Sequence, residues 1–335
     1  MKTIKVDLRK DPGDRWQFSP ADIADAKRLV DFYTEDIGGV ASHREALEMY
    51  DLSGHLAGPY RAEIADIIDR PYLKVLLANV YYDALKLVMG SPSTPSPFQG
   101  EGWGEVPKGF ACSAYAVDTP AGPVHARNLD WWTEDNRSLS TGSRIVEFTG
   151  GGAGPFSIIG WPSFLGAFSA IAPGRFSFSL NTVTSDDPLQ FAAPVTLVLR
   201  DILETAPTYA EALERIAKTP LMCDCLILIA GTKRGEMAVV ERTPSRSAVR
   251  GPENGFIAVT NSYRALATRD SAYRDLGSTA CERYDRIEEL LLLNRNRAPY
   301  ELYSMLSDSR IKMATLTVQQ MVMCPATGEF TAAAV

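Results

Sequence analysis

The sequence predicts an α+β protein, and three observations lead there. Helical periodicity is concentrated before residue 90, over 190–218 and over 278–307. Short alternating or apolar runs bounded by Gly, Pro or Asp fill 112–182, 225–260 and 314–334. Between the first helices and the first of these runs lies a Pro-, Ser- and Gly-rich stretch over 90–109. Strands, helices, strands, helices and strands again suggest two antiparallel sheets covered by helices. Periodicity alone does not choose how those layers stack.

Ser19-Pro20-Ala21-Asp22 is a helix start, with Ser as the cap, Pro at the first helical position and an acid in the first turn. That helix runs to about Thr34, with Ile23, Ala26, Leu29, Val30 and Tyr33 on one face. A second covers 58–69. A third starts near Pro71 and is apolar through Leu73, Val75, Leu76, Leu77, Val80, Tyr81, Leu85 and Leu87. The first ninety residues therefore read as helical, with no catalytic constellation. The next segment, GSPSTPSPFQGEGWGEVPKG, buries too little surface to hold a fixed fold. It is a domain connector or a flexible segment that presents a cleavage point, and it ends just before Cys112. Strands follow at 113–118, 124–130, 143–149, 156–161, 166–171 and 175–182. Helices are expected near 190–206 and 208–218, the second begun by Pro207-Thr208. Strands return at 225–230, 237–242 and 256–260, then helices at 278–294 and 299–307. A last hairpin occupies 314–334 around Ala326-Thr327-Gly328.

The bulk properties narrow the function. A chain of 335 residues makes one large domain or two ordinary ones, and 45% hydrophobic with 22% charged residues suits a soluble globular core. Net charge of −7 with a pI near 5.2 excludes a basic nucleic-acid footprint. No run reaches the roughly 18 apolar residues of a membrane span. The first twenty residues show no apolar signal-peptide segment, so a cytoplasmic location is expected. Five cysteines stand at 112, 223, 225, 281 and 324. Cys223-Asp224-Cys225 reads as a metal pair or as buried packing, and the lack of a second Cys/His pair at zinc spacing favours packing.

The chemistry gathers around the first two strands after the linker. Cys112-Ser113-Ala114-Tyr115-Ala116-Val117-Asp118 alternates small or apolar with polar residues, and Ala121-Gly122 signals a turn. The next run ends Arg127-Asn128-Leu129-Asp130-Trp131. This reads as a β-hairpin, which sets the start of one strand beside the end of the other. The Cys112 thiol is thereby brought close to Arg127 and Asp130. A thiol beside a guanidinium ionises more readily and is a better nucleophile. A nearby carboxylate can hold an amine or orient the arginine. Of the three histidines (His43, His55, His125), only His125 is near, sharing an alternating-strand face with Arg127. It remains open as a base, a strand residue or a substrate contact.

These residues resemble the N-terminal nucleophile hydrolases of the choloylglycine hydrolase superfamily, most closely the acid ceramidase and N-acylethanolamine acid amidase branch. There the nucleophilic Cys is followed by two strands and Arg-Asn-x-Asp, here Arg127-Asn128-Leu129-Asp130. Gly160-Trp161-Pro162-Ser163-Phe164-Leu165-Gly166-Ala167-Phe168 and Pro173 to Asn181 resemble the family's glycine-bearing strand pair ending Leu-Asn. Val259-Thr260-Asn261-Ser262-Tyr263 resembles its Thr-Asn-x-Tyr strand, and Ser278 through Arg283-Tyr284 to Arg286 its late arginine motif. The likeness covers most of residues 60–330 in order.

The resemblance implies a four-layer αββα sandwich, here with an N-terminal helical segment. It implies scission between Ala111 and Cys112 into associated chains 1–111 and 112–335, and no cofactor or metal. The freed Cys112 α-amine, with a pKa of about 7.7–8.0, becomes the base. By the same resemblance Arg127 lies by the thiolate and Asp130 fixes the amine through a charge-assisted hydrogen bond. Asn181 and Asn261 supply oxyanion donors. Arg283 is the second arginine, with Arg274 as rival. Trp131, Trp132, Trp161, Phe164 and Phe168 are core or the apolar mouth of a fatty-acyl site. The implied partner is a small-molecule N-acyl amide: relatives cleave ceramides, N-acylethanolamines, conjugated bile acids, penicillin V and acyl-homoserine lactones. The alternatives are acyl transfer at the same site, or a non-catalytic lipid-binding scaffold, against which Cys112, Arg127 and Asp130 stand intact.

Overall fold

The computed structural model describes residues 1–40, 57–84, 110–131, 136–185, 190–266, 274–293 and 299–335, with residues 44, 48, 51, 54, 187 and 188. The linker over 90–109, the expected end of the third helix, His43, His55 and Trp132 lie outside the described residues.

The chain opens with a strand. β1 (Lys2–Asp7) turns Ile4 and Val6 inward at alternate positions, and β2 (Trp16–Gln17) folds back on it antiparallel. β1 also runs parallel to β5 (Arg144–Thr149), from Lys2 opposite Arg144 to Asp7 opposite Thr149. The expectation of an entirely helical N-terminal segment is therefore wrong in its first eighteen residues. The alternation of Ile4 and Val6 is visible in the sequence, but the strand that completes it lies far along the chain. α1 (Pro20–Asp36) begins at the expected cap: the Ser19 hydroxyl accepts from the Asp22 N–H, and the Asp22 carboxylate accepts from the Ser19 N–H. A single 3-10 turn over Gly58–Tyr60 leads into α2 (Arg61–Asp66), and α3 (Tyr72–Asn79) follows.

The strand pair β3 (Phe110–Thr119) and β4 (Gly122–Trp131) forms the expected hairpin around Pro120-Ala121. α4 (Asn136–Gly142) leads to β5. β6 (Phe156–Gly160), β7 (Ser169–Ala172) and β8 (Phe176–Asn181) then form a meander. α5 (Val195–Thr205) and α6 (Tyr209–Lys218) precede β9 (Cys225–Ala230), β10 (Met237–Arg242), β11 (Ser247–Arg250) and β12 (Phe256–Val259). α7 (Arg274–Leu293), α8 (Pro299–Met305) and the hairpin β13 (Thr317–Cys324) to β14 (Glu329–Ala334) follow.

Nine strands form one sheet in the order β11-β10-β9-β8-β7-β6-β5-β1-β2, and five form the other, β12-β3-β4-β13-β14. β3 and β4 pack on β8 and β9. α6 covers β9 and β10, while α7 and α8 cover the smaller sheet. The result is an αββα sandwich. Strand alternation assigns the faces. Tyr115 and Val117 join Tyr284, Ile287 and Leu302 under the helices, whereas Ala114 and Ala116 meet Leu226 and Leu228 between the sheets. Buried ion pairs fasten the N-terminal segment to this frame. Arg144 holds Asp22 at 2.8 Å and Asp25 at 2.6 Å. Glu63 accepts from Trp16 Nε1 at 2.6 Å and Arg15 at 2.7 Å, and lies 3.5 Å from Arg200.

The hairpin turn tolerates only glycine at its far side. Gly122 has φ 113°, and a Cβ there would lie 2.6 Å from the Thr232 carbonyl oxygen. Gly122→Ala is expected to lower stability by about 2 kcal/mol or more, read from urea unfolding. Wild-type stability would mean that this turn does not fix the hairpin.

Candidate active site

In the hairpin register Ala111 stands opposite Asp130, Cys112 opposite Leu129, Ser113 opposite Asn128 and Ala114 opposite Arg127. Opposed residues share a face, so Cys112, Leu129 and Arg127 point between the sheets. Arg127 meets the thiol as expected: Nη2 lies 3.0 Å from Cys112 Sγ. The same guanidinium donates to Leu180 O, Phe168 O and Ser169 Oγ. Arg127 is 0% exposed and Cys112 1%.

Asp130 occupies the other face of the sheet, across from Ala111 and away from the thiol. The expectation that the hairpin brings the thiol close to Asp130 is therefore wrong for Asp130: strand alternation sends its carboxylate to the face opposite Cys112 Sγ. Thr317 Oγ1 donates to Asp130 Oδ1 at 2.6 Å, because an irregularity in β13 between Thr317 and Gln319 turns the hydroxyl to this side. Asp130 Oδ2 is buried with no hydrogen-bond partner among the described residues. Burial raises the Asp130 pKa to about 6, against the opposing pull of Arg283, Thr317 and Arg127.

Arg283 enters from α7. Its Nη1 donates to Cys112 O at 2.6 Å and to Ser113 Oγ at 2.8 Å, and Nη2 to Asn261 Oδ1 at 2.8 Å. Burial pulls the Arg283 pKa down, while Asp130 and Cys112 push it up. Between the two candidate arginines, Arg283 is the one in contact with Cys112; the side chain of Arg274 lies outside the described residues. Asn261 Oδ1 also accepts from the Cys112 N–H at 3.1 Å. Its Nδ2 donates to Thr182 O at 2.9 Å, and Asn181 Nδ2 donates to Thr260 O at 2.9 Å and Val259 O at 3.3 Å. The two asparagines thus cross-link the ends of β8 and β12 beside Cys112. Their amide nitrogens donate to backbone carbonyls.

Residues 120–320, more than half of the chain, match the family of acyl-coenzyme A:6-aminopenicillanic acid acyl-transferase. The chain belongs to that acyl-transferase family. The matched span holds Arg127, Asp130, Asn181, Asn261 and Arg283 and begins after Cys112. The N-acylethanolamine-hydrolyzing acid amidase of Caenorhabditis elegans is 32% identical over 145 residues, 40% of this chain and 40% of that protein. Acid ceramidase of Heterocephalus glaber is 22% identical over 272 residues, 72% of this chain and 62% of that protein. The chain therefore spans less than two thirds of the length of either relative. A solved structure of the Caenorhabditis elegans N-acylethanolamine-hydrolyzing acid amidase ortholog superimposes with a TM-score of 0.56 at 23% identity. That superposition covers 67% of this chain and 100% of the other, and it shows the fold to be of the N-terminal nucleophile hydrolase type.

Within this family frame His125 shares the inter-sheet face with Arg127, but both ring nitrogens meet serine hydroxyls, Ser177 at 3.1 Å and Ser179 at 2.9 Å. Burial, with the Arg127 charge, lowers its pKa to about 3. His125 is a neutral clamp between the sheets and a poor base near neutral pH. Cys225 lies in the core of β9, and the buried Cys223 thiol donates to Asp83 at 2.9 Å. Among the described residues no group of three or more His, Cys, Asp or Glu is placed to hold a metal ion. No helix among them is long and apolar enough to cross a membrane.

A cavity of about 40 Å³ lies beside this centre. Trp131, Trp161, Phe164 and Phe168 line it together with Tyr33, Tyr81 and Tyr82 of the N-terminal segment. The rings form one array, with Trp131 5.3 Å from Phe168 and 5.6 Å from Tyr33 between centroids. Ser113, Ser169 and Thr317, which hold Arg283, Arg127 and Asp130, were missed by the sequence reading. Single hydroxyls on strands carry no local signal.

The raised Asp130 pKa yields a sign. The folded chain retains a proton there that the unfolded chain, near 3.8, releases, so stability falls as pH rises from about 4 to about 6. In an uncut Cys112→Ala background, Asp130→Asn should abolish that slope, worth about 3 kcal/mol over the window. Denaturant unfolding at several pH values reads it. An identical slope in both proteins would place the titration elsewhere.

Proposed function

We propose that the protein is a self-cleaving cysteine amidase that hydrolyses the amide bond of an N-acyl amine through a thioester on Cys112. The pairing of Ala111 with Asp130 carries this reading. When the Ala111–Cys112 bond breaks, a new ammonium or amine appears beside a buried carboxylate whose second oxygen has no partner. Asp130 is then the group that holds the Cys112 amine, and the new charge offsets the burial that raises its pKa. The Arg127 contact with Sγ supports Cys112 as the nucleophile.

The steps follow from those positions. Cys112 Sγ attacks the Ala111 carbonyl carbon, the acyl group passes from nitrogen to sulfur, and water releases residues 1–111 from residues 112–335. With substrate, the Cys112 amine takes the thiol proton and the thiolate attacks the amide carbonyl. The oxyanion is met by the side-chain amides of Asn181 and Asn261, which exchange their present carbonyl partners for it. The amine product leaves with the proton, and water opens the thioester. Arg283 keeps Asn261 and the Cys112 carbonyl in place throughout. The aromatic cavity takes the acyl group, and Tyr33, Tyr81 and Tyr82 make the proposed 1–111 chain part of its wall. The family description favours a second reading, acyl transfer, in which an added amine replaces water. Product analysis with and without that amine separates the two.

Intact mass of purified protein should give two chains, and Cys112→Ala one; full turnover by an uncut chain would refute the mechanism. Asp130→Asn is expected to reduce kcat by one to two decades, the worth of a charge-assisted bond of about 1.5–3 kcal/mol. Activity within about twofold of wild type after normal cutting would return Asp130 to a structural role.

Rate should also depend steeply on acyl length. Each buried methylene contributes about 0.8 kcal/mol, so four carbons change kcat/KM by about two decades until the cavity is full. Amides of one fluorogenic amine, from acetyl to palmitoyl, provide the measurement. A flat profile with strong discrimination among amines would mean that the site reads the amine.

A further inference from the structure

Asn261 sits on a segment that leaves β12 and continues through 262–266 without strand or helix. A buried carboxylate holds it. Glu241 in β10 is 0% exposed, and its oxygens accept from three successive backbone N–H groups. Arg264 donates at 3.0 and 3.1 Å, Ala265 at 2.8 Å and Leu266 at 2.9 Å. Arg250 Nε adds a fourth donor at 3.1 Å. A buried charge persists only when it is paired and hydrogen-bonded, and Glu241 is both. Met237 and Val239, on the same face of β10, pack in the apolar layer between the sheets. The periodicity of the strand therefore calls for an apolar residue at 241, and the carboxylate there answers to the loop.

Two connections lead from this anchor to Cys112. Along the chain, Asn261 lies just before Tyr263, whose hydroxyl donates to Arg242 O at 2.8 Å, and Arg264, whose N–H is bound by Glu241. Across space, the Arg264 guanidinium lies over the Tyr284 ring, 3.3 Å from its centroid, next to Arg283 on α7. Asn261 and Arg283 in turn hold the N–H and the carbonyl of Cys112.

We propose that Glu241 is a positioning residue of this site, setting Asn261 and Arg283 through the 264–266 backbone without touching the thiol. In its catalytic consequence the proposal rests on the amidase reading; in its geometric consequence it does not. The test therefore has two arms. With N-acyl amide substrate, Glu241→Gln should cut normally and titrate as fully folded. It should lose about tenfold or more in kcat with KM within about twofold, and Glu241→Asp, which keeps the charge, should recover part of the loss. Without substrate, in the uncut Cys112→Ala background, Glu241→Gln should speed hydrogen exchange of the residue-112 N–H, the group bound by Asn261, by about tenfold. Where Glu241→Gln does not fold, Glu241→Asp is read in both arms. Faster exchange at 264–266 with unchanged protection at 112 would overturn the proposal, as would a kcat within about twofold of wild type. If wild type cleaves no N-acyl amide, the amidase reading fails and the exchange arm still decides on Glu241.

Discussion

A guanidinium buried between two sheets is the constraint around which this structure is arranged. Arg127 has no carboxylate among its hydrogen-bond partners in the described residues, so its charge is shared among Leu180 O, Phe168 O, Ser169 Oγ and the Cys112 thiol. Such a group is expensive to bury, and these contacts offset the cost although its Nε has no hydrogen-bond partner among the described residues. Ser169 meets part of that need from the inner face of the larger sheet, in a polar row with Ser177 and Ser179 set among apolar side chains. His125, neutral between Ser177 and Ser179, completes the row.

The opposite face of the smaller sheet holds the complementary charge. Asp130 and Arg283 lie on the helix side, one behind the strand position of Ala111 and the other on the Cys112 carbonyl. The sheet thus separates two tasks on either side of one residue: the thiol and its arginine inside, the backbone of Cys112 and its anchors outside. Burial outweighs the pull of Arg283, Thr317 and Arg127 on this carboxyl and keeps its pKa raised, so a further cation would be welcome there. On the proposed scission that cation is the Cys112 amine itself.

The N-terminal segment is more than a cover. β1 extends the larger sheet, Asp22 and Glu63 take buried arginines of the sandwich, and Tyr33, Tyr81 and Tyr82 close the aromatic cavity. Residues on both sides of the proposed break therefore shape the same apolar space. On the proposed reading, acyl recognition and association of the two chains would be coupled through that wall.

Much of this was legible from residue order alone. Alternation placed the hairpin, the β8 to β10 strands and the final hairpin, and Ser19-Pro20-Ala21-Asp22 marked α1, because these signals are local. The expectation that Asp130 stands by the thiol overlooked the strand alternation. With two residues in the turn, paired numbers sum to an odd value, so Cys112 shares its face with Arg127 and Leu129 and never with Asp130. What only the tertiary structure decided rests on segments distant in sequence. The parallel partner of β1, the contact of Arg283 with Cys112, the irregularity that brings Thr317 to Asp130, and the loop bound by Glu241 are all of this kind. A strand's period says which way a side chain points, but what it meets depends on the neighbour that long-range pairing supplies.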